Sequence, residues 1–158
     1  MSIKKQFAKR YIPPQTKWKL ALKGIGKLYR AIYDELEEED KNSSDSTLSK
    51  AAYRIGKDFG QTLKADFKLG NTIDDIGFAM EIDHNIFGMK AKIAEHSRSR
   101  IVYYCYQCAW KKYFEPRLCL AIGQAEKGVA QALNTNAKYN ILQTRTMGRD
   151  KCIFTVEV

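Results

Sequence analysis

Four cysteines are the residues of this chain with the widest range of chemistry. Cys105 and Cys108 form a C-x-x-C pair, Cys119 follows in the next segment, and Cys152 lies close to the C-terminus. Such thiols can bind a metal ion, form disulfides, act as nucleophiles or fill a core as small apolar groups. No secretory signal sequence is recognisable, so we expect a cytoplasmic location, where thiols stay reduced and disulfides are disfavoured.

Zinc is the metal that the thiols would favour. A Cys₄ zinc site normally uses two short pairs of cysteines, whereas this chain offers one pair and two single cysteines. The candidate zinc ligands are Cys105, Cys108, Cys119 and Cys152. Further donors are available at His84, Glu95, His96 and Glu126. Burial of the four thiols without metal is the alternative, because cysteine is among the most buried residue types.

A catalytic thiol would need a neighbouring base or cation to lower its pKa. Cys119 and Glu126 lie on one side of a predicted helix, and His96 or His84 is available as a base. The candidate catalytic residues are therefore Cys119, Glu126 and His96. An ordinary structural role for both histidines is the alternative.

Aromatic side chains suggest a second kind of site, a pocket for an apolar small molecule between helix and sheet. The candidate ligand-binding residues are Phe78, Tyr104, Tyr106, Trp110 and Phe114. The same side chains would serve equally as an ordinary core.

The elements that must position these residues follow from hydrophobic spacing. Apolar residues three and four apart predict one helix from Pro14 to about Glu39 and another that begins after an N-cap at Ser46 or Asp45. Thr72 and Asp75 predict a capping box that opens a short third helix ending near Gly88. A fourth helix is predicted from Pro116 to the "NTN" at 134–136.

Four segments have the composition or alternation of strands, at 89–96, 99–108, 138–146 and 151–158. The order of elements predicts an α+β fold in which helices pack on a four-stranded, mainly antiparallel sheet, with two β-hairpins separated by a helix. The last strand, the fourth helix and the segment before it would bring the four thiols together.

The charge of the chain is concentrated at its beginning. The net charge is +9 over 158 residues, and the first thirty residues hold nine Lys and Arg and no acid. We interpret 1–13 as a basic arm and 14–158 as a single domain. The arm predicts contact with nucleic acid or an anionic membrane, while a solvated helix face is the alternative. The first helix also offers a surface for a homodimer, and no apolar run reaches membrane-spanning length.

Several short motifs in the C-terminal part form a familiar pattern. They are Cys119 before a helix, "LN" at 133–134, "TRT" at 144–146 and "GRDKCIF" at 148–154. Over about residues 100–158 the chain resembles the L-2-amino-thiazoline-4-carboxylic acid hydrolase family. That family belongs to the 4-vinyl reductase-like superfamily, which shares the ligand-binding fold of NO-signalling and Golgi-transport proteins.

The resemblance implies a fold whose helices and sheet enclose a pocket for a small-molecule ligand or substrate. It implies either hydrolysis of a cyclic C–N bond or a non-catalytic sensor module. Some related sensor domains bind zinc through cysteines equivalent to Cys119 and Cys152. Their other two ligand positions fall on Ile141 and Thr144, so a zinc site here would have to use Cys105 or Cys108 instead.

Overall fold

A four-stranded antiparallel sheet forms one layer of the protein. The computed structural model describes residues 13–43 and 45–158, so residues 1–12 of the predicted arm lie outside it. The strands are β1 (Lys90–His96), β2 (Arg100–Gln107), β3 (Lys138–Gln143) and β4 (Cys152–Glu157). Their order is β1-β2-β4-β3, and every neighbouring pair is antiparallel. The predicted α+β class and its two hairpins are confirmed.

Helices form the other layer. They are α1 (Pro14–Asp34), α2 (Glu38–Asn42), α3 (Thr47–Asp66), α4 (Ile73–Ile86), α5 (Pro116–Ile122) and α6 (Gln124–Leu133). Two predicted caps are present, because Ser46 accepts from the Ser49 amide and Thr72 forms a capping box with Asp75. No described helix is both long enough and apolar enough to span a membrane.

The core lies between the sheet and α3, α4 and α6. Side chains two residues apart on a strand share a face. The core-facing side chains of the two central strands are Ile101, Tyr103, Cys105, Cys152, Phe154 and Val156, and all are buried. A second apolar cluster lies under α1, where the indole N–H of Trp110 donates to the Leu22 carbonyl at 2.9 Å.

Helices α3 and α6 touch along their backbones. A Cβ atom added at Gly56 would overlap the backbone of Ala125, and one added at Gly128 would overlap the backbone of Tyr53. The two helices therefore approach as closely as only glycine allows.

Two predicted helices have different bounds. The first ends at Asp34 instead of about Glu39, because the carboxylates that follow are unfavourable at the negative end of a helix dipole. Glu38, Glu39 and Asp40 instead occupy the first turn of α2, where the dipole stabilises them. The helix predicted from Pro116 is divided at Gly123 into α5 and α6.

Candidate functional site: a thiol-lined apolar cavity

An apolar cavity of about 200 Å³ lies between the helices and the inner face of the sheet. Residues from all the long helices, from β2, β3 and β4, and from the segment after β2 form its walls. Cys105, Cys108, Cys119 and Cys152 all line it. The structure thus brings together four thiols that are spread over nearly fifty residues of sequence.

Cys105 and Cys152 are direct partners across β2 and β4. A hydrogen bond from the Cys105 thiol lowers the pKa of Cys152 to about 7, against the effect of burial. The Arg145 amide N–H also donates to the Cys152 sulfur at 3.3 Å and acts in the same direction. The same interaction, together with burial, raises the pKa of Cys105. Cys152 is therefore the thiol of this pair that ionises first.

Cys119, the predicted nucleophile, has the opposite environment. Burial raises its pKa to about 12, and the nearby Glu126 carboxylate acts in the same direction. Among the described groups that influence Cys119, only a hydrogen bond with Thr146 lowers its pKa. The structure thus does not supply the base or cation that a reactive thiol needs.

The three predicted catalytic residues do not form one constellation. His96 lies at the end of β1, where its Nε2 pairs with Asp74 Oδ1 at 2.8 Å and its side chain is half exposed. It does not line the cavity. Glu126 does line it, but its two carboxylate oxygens already accept hydrogen bonds from His84 and Tyr139.

A buried polar cluster lies at the cavity wall formed by α4 and α6. His84 Nε2 lies 3.1 Å from Glu126 Oε1, and the Tyr139 hydroxyl donates to Glu126 Oε2. Burial opposes a charged His84, but the hydrogen bond and the charge of Glu126 outweigh it and raise the histidine pKa. His84 Nδ1 has no hydrogen-bond partner in the described part of the chain. Glu126 and His84 thus form a hydrogen-bonded pair inside the protein.

Asp83 belongs to the same cluster and lines the cavity. Its side chain is only 3% exposed. Burial, and then the charge of Glu126, raises its carboxyl pKa to about 7. Asp83 and Tyr139 were not predicted from the sequence, and His84 was predicted only as a possible metal donor and as an alternative base to His96.

A signal for this cluster was present in the sequence. Ile76, Met80 and Asp83 follow the helical spacing that buries one face of α4, so a carboxylate stands at a core position. Glu126 likewise lies between Ile122 and Val129 on the buried face of the fourth predicted helix. Charged residues at such positions are rarely fully buried unless they are paired.

Two of the five predicted ligand-binding aromatics line the cavity, Trp110 and Phe114. Tyr104 and Tyr106 do not, because Tyr103 faces the core and alternation turns its neighbours away. The Tyr104 ring instead lies under the Lys151 ammonium, 4.0 Å from it. Phe78 is a further correction, since it is exposed on α4 and packs against Phe67.

The thiols do not fit the predicted zinc site. Tetrahedral zinc needs ligand atoms gathered closely around one point. Within 13–43 and 45–158, no three of the sulfur atoms gather in that way. The group of donors that does so is Asp83, His84 and Glu126, whose donor atoms lie within 4.8 Å of one another.

Comparison with known proteins supports the fold and not an activity. No protein-family model matches the chain, and no curated protein matches it. The solved structure of a trafficking protein particle complex subunit 3 from Naegleria fowleri, covalently bound to palmitic acid, is similar with a TM-score of 0.66. The similarity covers 90% of this chain and 95% of that chain at 13% sequence identity.

The chain therefore has the fold of that trafficking-complex subunit. At this identity the likeness concerns the arrangement of helices and sheet alone. It agrees with the ligand-binding fold that the sequence motifs imply, but it does not extend to the L-2-amino-thiazoline-4-carboxylic acid hydrolase family.

Proposed function

We propose that this protein is a non-catalytic module that binds an apolar small molecule of lipid type. The observation that carries the proposal is the cavity of about 200 Å³ between helices and sheet. An apolar cavity of roughly 150 Å³ is large enough to bind benzene, so this one can hold a short alkyl chain or a ring. Ligand sites are typically concave and apolar with a few polar groups, as here.

The structural neighbour supports the same class of ligand. In its solved structure, that protein is covalently bound to palmitic acid. Two proteins with one fold need not share a ligand. The neighbour nevertheless shows that a protein with this arrangement of elements can hold a fatty acid.

Hydrolysis of a cyclic C–N bond, as the sequence resemblance implies, has less support. It would need an activated nucleophile and an acid or base around one point. Cys119 is held as a protonated thiol, and His96 lies on the surface away from the cavity lining. We therefore favour binding over turnover.

The test is a titration with n-alkanols of six to twelve carbons, followed by the fluorescence of Trp110. The second tryptophan, Trp18, is exposed and is changed to Phe in all samples, so that Trp110 is the reporter. Each buried CH₂ is worth about 0.8 kcal/mol, so affinity is expected to rise about fourfold per carbon until the cavity is full.

A cavity-filling variant locates the binding. Ala52 is buried and lines the cavity, whereas Ala65 is exposed on the same helix. Ala52→Phe is expected to abolish the fluorescence response, and Ala65→Phe to retain it. Undiminished binding in a folded Ala52→Phe protein would contradict the proposal.

A second candidate function is covalent acylation of Cys152. This thiol lines the cavity and its pKa of about 7 leaves much of it ionised at neutral pH. The thiolate would attack the carbonyl carbon of an acyl-coenzyme A, forming a protein thioester as the coenzyme A thiolate leaves and takes up a proton. Intact mass after incubation with palmitoyl-coenzyme A tests this: one added palmitoyl group should be lost in Cys152→Ser and kept in Cys119→Ser.

We also propose that protein partners bind the outer face of α1. Trp18, Leu28 and Ile32 are exposed there, and the neighbouring structure is by its title a subunit of a multiprotein complex. A second copy of this chain is one such partner. Light scattering of wild type and of Leu28→Ser tests self-association, which should be weaker in the variant.

A further inference from the structure

Asp83 is a buried carboxyl group at the cavity, and none of the described residues donates a hydrogen bond to it. It is 3% exposed and lines the apolar cavity, and donor atoms of His84 and Glu126 lie within 4.8 Å of it. A buried polar group that lacks a hydrogen bond destabilises the folded state, and this holds more strongly for a charged group. The position therefore calls for a donor that the described residues do not supply.

The neighbouring groups cannot meet this need. Glu126 is itself an acceptor, and its two oxygens are occupied by His84 and Tyr139. His84 uses Nε2 for Glu126, and its Nδ1 makes no hydrogen bond to Asp83 or to any other described residue. The thiols at the cavity wall are weak donors.

A ligand could supply the missing donor. The cavity extends from Ile55, which is 59% exposed and so lies at its rim, to the buried Asp83. A molecule that fills this space would place one end beside the carboxyl group. Building on the function proposed above, we infer that the cavity selects an apolar molecule whose inner end carries a cationic hydrogen-bond donor, such as a primary amine.

The same geometry disfavours a free fatty acid in that orientation. Its carboxylate would join those of Asp83 and Glu126 in a region of low dielectric, where like charges repel strongly. A hydroxyl group would be tolerated, since it can donate one hydrogen bond but brings no charge. A methyl ester would leave Asp83 without a donor.

The test compares four eight-carbon ligands that differ only in the head group: octylamine, 1-octanol, methyl octanoate and sodium octanoate. Dissociation constants are measured by calorimetry at neutral pH, below the micellar range. A charge-assisted hydrogen bond should make octylamine bind about tenfold or more tightly than octanol. The ester should bind more weakly than octanol, and octanoate most weakly.

Two variants assign the preference to one side chain. Asp83→Asn removes the charge at nearly the same volume and should reduce the amine-to-alcohol ratio to about one, while octanol binding changes little. Asp58→Asn on α3 is the matched control, because Asp58 is exposed and does not line the cavity; it should preserve the ratio. The head-group ranking in the wild type tests the inference even if Asp83→Asn does not fold.

The outcomes separate this inference from the function on which it rests. Equal binding of all four ligands, or an amine preference that survives in Asp83→Asn, overturns the inference but leaves apolar binding intact. Binding of none of them overturns the proposed function itself. Elemental analysis is run in parallel, and a stoichiometric metal ion that is lost in Asp83→Asn would also overturn the inference, because Asp83 would then be a ligand of that ion.

Discussion

The cavity has a sheet wall and a helix wall, and the thiols Cys152 and Cys119 on these walls have opposite shifts in pKa. On the sheet wall, hydrogen bonding with the Cys105 thiol and the Arg145 amide lowers the pKa of Cys152 to about 7, whereas the pKa of Cys105 itself is raised. On the helix wall, burial raises the pKa of Asp83 to about 7 and that of Cys119 to about 12. Ionisation is thus eased at Cys152 and opposed at the other three groups.

Burial acts on both walls, so it does not explain the difference. At Cys152, hydrogen bonding with the Cys105 thiol and from the Arg145 backbone N–H lowers the pKa by more than burial raises it. At Asp83 and Cys119 burial is the largest cause of the raised pKa, and the charge of Glu126, which also raises the pKa of Cys152, adds to it. Hydrogen bonding at the sulfur therefore distinguishes Cys152 from the other cavity groups.

The largest expected effect on stability comes from substituting Glu126, the shared acceptor on the helix wall. Glu126→Ala would leave His84 and Tyr139 without their shared acceptor and an imidazolium buried without its counter-ion. We expect the free energy of unfolding to fall by about 3 kcal/mol. Chemical denaturation measures it, and Glu95→Ala, which removes a surface ion pair with Arg100, should cost less than about 1 kcal/mol. Similar losses of unfolding free energy in the two variants would mean that the buried pair contributes no more to stability than the surface pair.

The second prediction contrasts the walls through pH. The raised pKa of Asp83 means that the folded state holds this proton more tightly, so its stabilising contribution is present below about pH 4 and is lost as the pH rises through 7. The raised pKa of His84 has the same sign, but its contribution is complete below pH 6.5 and is lost only above that value. The lowered pKa of Cys152 acts in the other direction, and its contribution is present above pH 9 and is lost as the pH falls through 7. Asp83 and Cys152 together should therefore produce a minimum of stability near neutral pH.

The fall and the rise of stability with pH are each tested by one substitution. Asp83→Asn should remove most of the fall between about pH 4 and 7, which we expect to amount to about 2 kcal/mol. Cys152→Ser should remove the smaller rise between about pH 7 and 9. Thermal or urea denaturation across this range measures both the fall and the rise. A profile that either substitution leaves unaltered would break the contrast between the walls.

The third prediction concerns thiol reactivity. Because the thiolate is the reactive form, Cys152 should be alkylated by iodoacetamide at neutral pH about tenfold or more faster than Cys119. Peptide mass spectrometry after timed exposure gives the two rates. Cys105→Ala should slow Cys152 and shift its pH–rate midpoint upward, because the main donor is lost. Faster labelling of Cys119 would show that access, not ionisation, controls these thiols.

The smallest effect is expected from the N-terminal arm. Deleting residues 1–12 removes four of the basic residues and none of the described residues that line the cavity. The free energy of unfolding and the alkanol affinity should stay within about 0.5 kcal/mol of the full chain. If the arm binds nucleic acid or an anionic vesicle, that salt-sensitive binding should disappear in the same protein. Lost alkanol affinity would show that the arm contributes to the cavity after all.

Features set by neighbours in sequence were predictable. The caps at Ser46 and Thr72 depend on residues three positions away, and the strands depend on alternation over a few residues. The convergence of the thiols also followed from the order of elements. The predicted end of α1 was wrong because a run of carboxylates is compatible with the exposed face of a helix. The helix dipole, which disfavours carboxylates at the C-terminal end, was the argument against it.

The candidate site needed information that pattern alone does not hold. Asp83, Glu126 and Tyr139 come from α4, α6 and β3, and nothing local indicates that they meet. The different environments of Cys119 and Cys152 were not predictable for a related reason: the donors to Cys152 come from β2 and from the turn before β4. His96 was preferred to His84 although only His84 shares the buried face of its helix.

The glycine contact between α3 and α6 sets one dimension of the binding space. Gly56 and Ala125 belong both to that contact and to the cavity lining, and there the helices meet backbone to backbone. Backbone cannot change rotamer, whereas Phe59, Met89 and Ile141 at other parts of the lining can. The cavity therefore has a fixed width at this edge and an adjustable length elsewhere. For the ligand binding proposed above, longer or shorter molecules would fit, whereas a molecule too wide at this edge would be excluded.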